Sequence, residues 1–310
     1  MVKEKTIGKC ALCRKTNVEL MKSHIIPKAI YRRTKTYENA RFRNFFNPNI
    51  IYQDGEKKPL LCHECEEFFS KYEMKFSNLF LDRYLASPSS PLPAITKDIE
   101  FYIITVAWRI LYDDLYKQNS YKGDSQRIFF EEYEEKLGKY IFEKYIEENP
   151  TATSTRTEVY KPNMNSKCFG EMIAEFEKWE KSSSPEDMSE IKNYIHRLSD
   201  LGFEDTVKEL FDSMIFGYSF CDSTRTKYYI ISGYKGLIIT TAFLRKRSIL
   251  INNDRRLFVR ARKVDKMVKK DIRDEITYGL MKIRNEWPKL QKKLDENGLK
   301  YKIKRRYEGK

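Results

Sequence analysis

Cys10-Ala11-Leu12-Cys13, Leu20-Met21-Lys22-Ser23-His24-Ile25-Ile26-Pro27-Lys28 and Cys62-His63-Glu64-Cys65-Glu66 are the stretches that decide the fold of this chain. Cysteines spaced as Cys-x-x-Cys present two thiolates to one ion across a tight turn, and two such pairs close a tetrahedral site. With 48 residues between Cys13 and Cys62, the pairs can meet only if the intervening chain folds back on itself. The ligands predicted are Cys10, Cys13, Cys62 and Cys65, and the ion predicted is zinc. Four sulfur ligands leave no position for water, so this zinc serves folding and not chemistry. Residues 1–80 hold too little apolar material for a free-standing core, so the metal must supply much of the folding free energy.

His24, one of three histidines, lies between the two knuckles. The order Cys-x-x-Cys, Ser23-His24-Ile25-Ile26-Pro27-Lys28, Cys-x-x-Cys-Glu66 resembles the HNH branch of the His-Me finger nucleases, over about residues 8–80. The resemblance implies a zinc-stabilised ββα-metal module with a general-base histidine, His24, on its first strand. It also implies a catalytic Mg²⁺ or Mn²⁺ held by the residue just before the base and the residue just after the second knuckle. Those positions hold Ser23, a poor magnesium ligand, and Glu66, a hard carboxylate suited to either ion. The family's middle asparagine has its nearest counterparts in Asn47 and Asn49, earlier than the usual position. The activity implied is metal-dependent hydrolysis of phosphodiester bonds of DNA. The Ser-His-x-x-Pro-Lys with Leu-Cys-x-x-Cys-Glu variant resembles bacterial HNH-type proteins, some of them associated with phage defence. The alternative is a non-catalytic, zinc-stabilised nucleic-acid-binding protein on a degenerate HNH scaffold.

In that chemistry a neutral histidine takes a proton from water, and the divalent ion steadies the departing oxygen. An imidazole suits the base role because its ordinary pKa lies near neutrality. If a helix starts near Cys62, His63 and Glu66 share a face, and His63 becomes a second candidate for the metal shell beside Ser23. Lys28, Arg32, Arg33, Arg41 and Arg43 follow His24 and form a candidate phosphate cradle, which positions a strand without reading its sequence.

Charge supports a polyanionic partner. Residues 1–58 carry 14 Lys/Arg against 5 Asp/Glu, and residues 255–310 carry 20 against 8. With a net charge of +14 for the whole chain, the residues between are left at −7. Two basic ends around an acidic middle point to nucleic acid, DNA ahead of RNA. No apolar run approaches membrane-spanning length, and the first residues lack the apolar core of a secretory signal. Cys168 and Cys221 stand alone, so a reducing cytoplasm is the expected location and a disulfide framework is not.

The expected fold class is α+β: an HNH-like module over 1–85, then a mainly helical domain over 95–310 with a small antiparallel meander, a basic C-terminal helix and a basic tail. Three prolines in Ala86-Ser87-Pro88-Ser89-Ser90-Pro91-Leu92-Pro93-Ala94 mark the boundary. Helices are predicted from Cys62 to Leu85, from a cap at Thr96 or Asp98 to Tyr116, and over 124–148, 168–181, 186–200 and 264–287. Short β-branched and aromatic runs predict strands over 214–221, 227–232, 237–243 and 248–251. A partner protein or a second copy, engaged through 95–310, is the remaining expectation.

Overall fold

The computed structural model describes residues 5–34, 42–43, 51–52, 55–119, 121, 127–150, 188–203, 216–224, 227–244, 265–274 and 276–277. In chain order the elements are β1 (Ile7–Gly8), β2 (Val18–Glu19), β3 (Met21–His24), α1 (Lys28–Thr34), β4 (Phe42–Arg43), β5 (Ile51–Tyr52), β6 (Lys57–Leu61) and α2 (His63–Phe76). There follow α3 (Asp82–Ala86), α4 (Lys97–Tyr112), α5 (Arg127–Glu148), β7 (Ile191–Arg197), β8 (Phe216–Thr224), β9 (Lys227–Tyr234), β10 (Leu237–Leu244) and a helix over residues 265–274, α6. The class is α+β, as expected. Strands pair as β1-β2, β3-β6, β4-β5 and β7-β10-β9-β8.

The chain divides into two compact units, each built from interleaved segments. The first comprises residues 1–23, 57–71 and 121–188; the second comprises 24–56, 72–120 and 189–310. The proline-rich stretch at 86–94 therefore lies inside the second unit.

In the first unit the β1-β2 hairpin pairs Ile7 with Glu19 and Gly8 with Val18. Leu12, Leu60, Leu61, Phe68 and Phe69 are buried. Helix α5 buries Phe130, Tyr133, Leu137, Ile141, Phe142 and Tyr145, the spacing of one helical face. Phe68 meets Tyr145 edge-on, with ring centroids 5.3 Å apart, a geometry that favours aromatic pairs.

In the second unit α4 starts as predicted, with the Thr96 side chain accepting from the Ile99 amide. The sequence pattern predicts one apolar side, but every residue from Phe101 to Leu111 is buried, so α4 is a central core helix. It packs against β7, β9 and β10. The β9-β10 hairpin turns at Lys235 and Gly236, both at positive φ, the geometry that joins twisted antiparallel strands in two residues. On α6, Val268 and Ile272 are buried, and Tyr229 donates to Asp271.

Two expectations are corrected. Residues 186–200 read as a helix, but Ile191–Arg197 forms β7, antiparallel to β10 from Ile191↔Phe243 to Arg197↔Leu237. Its charged and aromatic residues fit two periods; pairing with a buried strand selects the period of two. The spacing of Phe68, Phe69, Tyr72, Phe76, Leu79 and Phe80 predicts one buried face on the helix after Cys62; all are buried except Leu79, which is 43% exposed. A π-helical turn at Ser77–Leu81 shifts the register, so that Phe80 is buried as expected and Leu81 is buried in place of Leu79. The predicted elements over 168–181 and 248–251, the part of the last predicted helix beyond residue 277, and the basic tail lie outside the described residues.

Candidate functional site

The first knuckle forms because the chain turns tightly after Cys10. The Arg14 amide donates to the Cys10 carbonyl at 3.1 Å and the Cys10 amide to the Lys15 carbonyl at 2.9 Å. Arg14 and Asn17 take up positive φ to complete the turn. The second knuckle lies where β6 passes into α2: Cys62 precedes the helix and Cys65 falls in its first turn. The Ala11 amide donates to the Leu60 carbonyl at 2.9 Å, and the Cys62 amide donates to Cys10 Sγ at 3.3 Å. These bonds bring the knuckles together.

All four thiols are buried and none is in a disulfide. Their sulfurs lie within 4.8 Å of one another, so the cluster could hold a metal ion. Sulfurs about 2.3 Å from a tetrahedral ion stand about 3.8 Å apart, and Cys13 Sγ and Cys62 Sγ are 3.7 Å apart. The thiols cannot all ionise unaided. Hydrogen bonding with Cys13 and the other thiols holds Cys10 below its ordinary range, and Cys10 in turn pushes Cys62 and Cys65 far above theirs. A divalent cation would remove that conflict. The donor set, burial and spacing therefore fit zinc.

The cluster is tied to α5. Arg14 pairs with Glu135 at 2.9 Å and reaches buried Glu134 at 3.8 Å. Lys71 pairs with Glu148, and burial raises the Tyr145 phenol to about 12. Nothing in the cysteine spacing announces this contact; it needs the fold.

Ser23 and Glu66 meet. Ser23 is fully buried, and its hydroxyl donates to Glu66 Oε2 at 2.6 Å. The residue before His24 and the residue after the second knuckle are thus brought together by the β3-β6 pair and the start of α2. His63, 67% exposed on its side chain, sits 3.3 Å from Glu67 one turn on. His196, alone in its segment by sequence, is in β7, stacked on Tyr194, and burial holds its pKa below the ordinary value.

His24 closes β3, with its ring Nε2 buried. Its carbonyl accepts from Arg109 Nη1 at 2.9 Å, and the next amide, Ile25, donates to the Glu56 carbonyl at 3.0 Å. Arg109 is fully buried in α4 and also pairs with Glu73 at 2.8 Å. Sequence reading missed it, although one arginine inside Tyr102-Ile103-Ile104-Thr105-Val106-Ala107-Trp108-Arg109-Ile110-Leu111 is a visible anomaly. Gly55, at φ 92°, turns the chain ahead of β6; a Cβ there would stand 2.2 Å from the Tyr31 ring.

Among the basic residues, Lys28 and Arg32 are exposed on α1. Arg33 is turned inward to Asp82 at 2.8 Å and Asn78 at 2.9 Å, which gives it a structural duty. Arg41, Asn47, Asn49 and the side chain of Arg43 lie outside the described residues. No helix among the described residues is long and apolar enough to cross a membrane. Comparison with protein-family models, with curated proteins and with solved structures returned no match.

Proposed function

We propose that this protein is a metal-dependent endonuclease of the HNH kind acting on DNA, with zinc in the four-cysteine cluster as a structural ion. His24 is the general base, and Glu66 holds a separate Mg²⁺ or Mn²⁺. The observation that carries the reading is the 2.6 Å approach of Ser23 to Glu66. These are the two positions where the resemblance calls for metal ligands, and they are 43 residues apart in sequence. The basic ends, with Lys28 and Arg32 exposed on α1, supply phosphate contacts. Phage defence is the setting the sequence resemblance favours.

The second reading, a DNA-binding protein on a degenerate scaffold, draws on the same bond. A buried serine hydroxyl stands where a metal ligand is expected and occupies the Glu66 carboxylate.

One experiment separates them. Supercoiled plasmid is incubated with zinc-loaded protein and Mg²⁺ or Mn²⁺, and nicking and binding are measured for wild type, His24→Ala and Glu66→Gln. The nuclease reading expects His24→Ala to bind DNA and keep its zinc while nicking roughly 10²–10⁴-fold more slowly. Equal nicking by His24→Ala overturns it. Wild-type protein that binds DNA but does not nick it with either ion supports the binding protein.

A further inference from the structure

The His24–Ile25 peptide unit is held at both ends. Its carbonyl oxygen accepts from Arg109 Nη1 at 2.9 Å, and its N–H donates to the Glu56 carbonyl at 3.0 Å. A peptide group is planar, so fixing both ends fixes its plane and the His24 Cα within it, while the pairing of β3 with β6 constrains the backbone that leads into His24. β3 ends at His24, and the chain then bends through buried Ile25, Ile26 and Pro27 into α1. At such a strand end the ladder no longer satisfies the carbonyl, and water or a neutral side chain commonly does so. Here a fully buried guanidinium does it, from the last turn of an apolar helix. Burying a charge is costly unless it is paired, and Glu73 pairs it on the same nitrogen at 2.8 Å. A charge-assisted bond is short and directional, which suits holding one geometry more than adding stability.

We infer that Arg109, oriented by Glu73, is a positioning residue for His24. α4 thereby places the base, which gives the chain beyond the cysteine module a part in the chemistry. The inference rests on the general-base reading of His24. Displacing a reacting group by about 1 Å can cost around 10²-fold in rate while leaving substrate binding intact.

The test uses full-length, zinc-loaded protein with Arg109→Met, Arg109→Lys, Glu73→Gln and His24→Ala. Two readouts are taken: kcat and KM for plasmid nicking, and the imidazole resonances of the three histidines by NMR, with the His24 signal assigned by its loss in His24→Ala. Arg109→Met is expected to lower kcat about 10²-fold with KM within about twofold. Its His24 resonance is expected to move while those of His63 and His196 stay. Arg109→Lys is expected to recover part of the kcat, because it keeps one charged donor. If Arg109→Met does not fold, Glu73→Gln carries the test, since it frees Arg109 from its anchor with little change in shape. An unmoved His24 resonance with unchanged kcat overturns the inference, as does a loss of kcat that only follows lost zinc or folded fraction. If His24→Ala nicks like wild type, the general-base reading fails by itself. A moved His24 resonance in Arg109→Met then still supports the positioning contact.

Discussion

Removing the metal from the four-cysteine cluster is expected to unfold the β1-β2 hairpin, β3, β6 and the first turns of α2, and to loosen α5. The magnitude follows from what holds these pieces together. The strands of this part are short: β1 and β2 have two residues each, β3 has four and β6 five. A two-stranded pair of that size is not stable alone in water. Structural zinc in small modules supplies roughly 10–16 kcal/mol of apparent binding free energy near neutral pH. Whole domains are stable by only about 5–15 kcal/mol. The ion's contribution therefore matches or exceeds the net stability of the part it holds. Without it, four sulfurs within 4.8 Å must lie buried together with no central charge. Arg14 then loses the turn that points it at Glu134 and Glu135, and Phe68 loses the frame that sets it against Tyr145. Hydrogen exchange read by mass spectrometry, before and after a chelator, resolves this peptide by peptide. Protection should collapse over 7–24 and 57–71, fall partly over 127–148, and persist in β9 and β10. Cys62→Ser should reproduce the pattern, and elemental analysis should give one zinc per chain in wild type. A metal-free protein with full protection over 7–24 and 57–71 would falsify the argument.

Two further outcomes follow from single residues. His196 has a lowered pKa in the fold, through burial first and then Lys269, against the opposing pull of Asp200 and Asp265. The unfolded chain takes up a proton near pH 6.5 that the folded one resists, so this contribution is present above about 6.5 and lost as pH falls below it. Unfolding midpoints between pH 5 and 7.5 should slope less in His196→Phe than in wild type, by at most about 1.4 kcal/mol per pH unit; parallel curves would refute it. Gly55→Ala places a Cβ against the buried Tyr31 ring and forces a side chain into positive φ. It should destabilise by on the order of 1–3 kcal/mol, read as a lowered melting temperature, and an unchanged one would refute the packing argument.

The cysteine cluster was legible because metal ligands impose spacing on sequence: Cys10, Cys13, Cys62 and Cys65 could be paired before any fold was known. Helix α4 and strands β8 to β10 were legible for a similar reason, since burial imposes periods of 3.6 and 2 on the apolar residues. β7 was not, because Lys192, Asn193, Tyr194, His196 and Arg197 carry no clean period; the hydrogen-bonding edge of β10 selected strand. Leu79 was misplaced because a π-helical turn is set by packing and leaves no periodic trace. Sequence alone could name Ser23, His24 and Glu66 and the order of the knuckles. Only the tertiary structure decided that Ser23 meets Glu66 at 2.6 Å, and that Arg109 holds the His24 carbonyl at 2.9 Å. Residues 43 and 85 positions apart in the chain share no local rule; their meeting depends on how strands and helices pack.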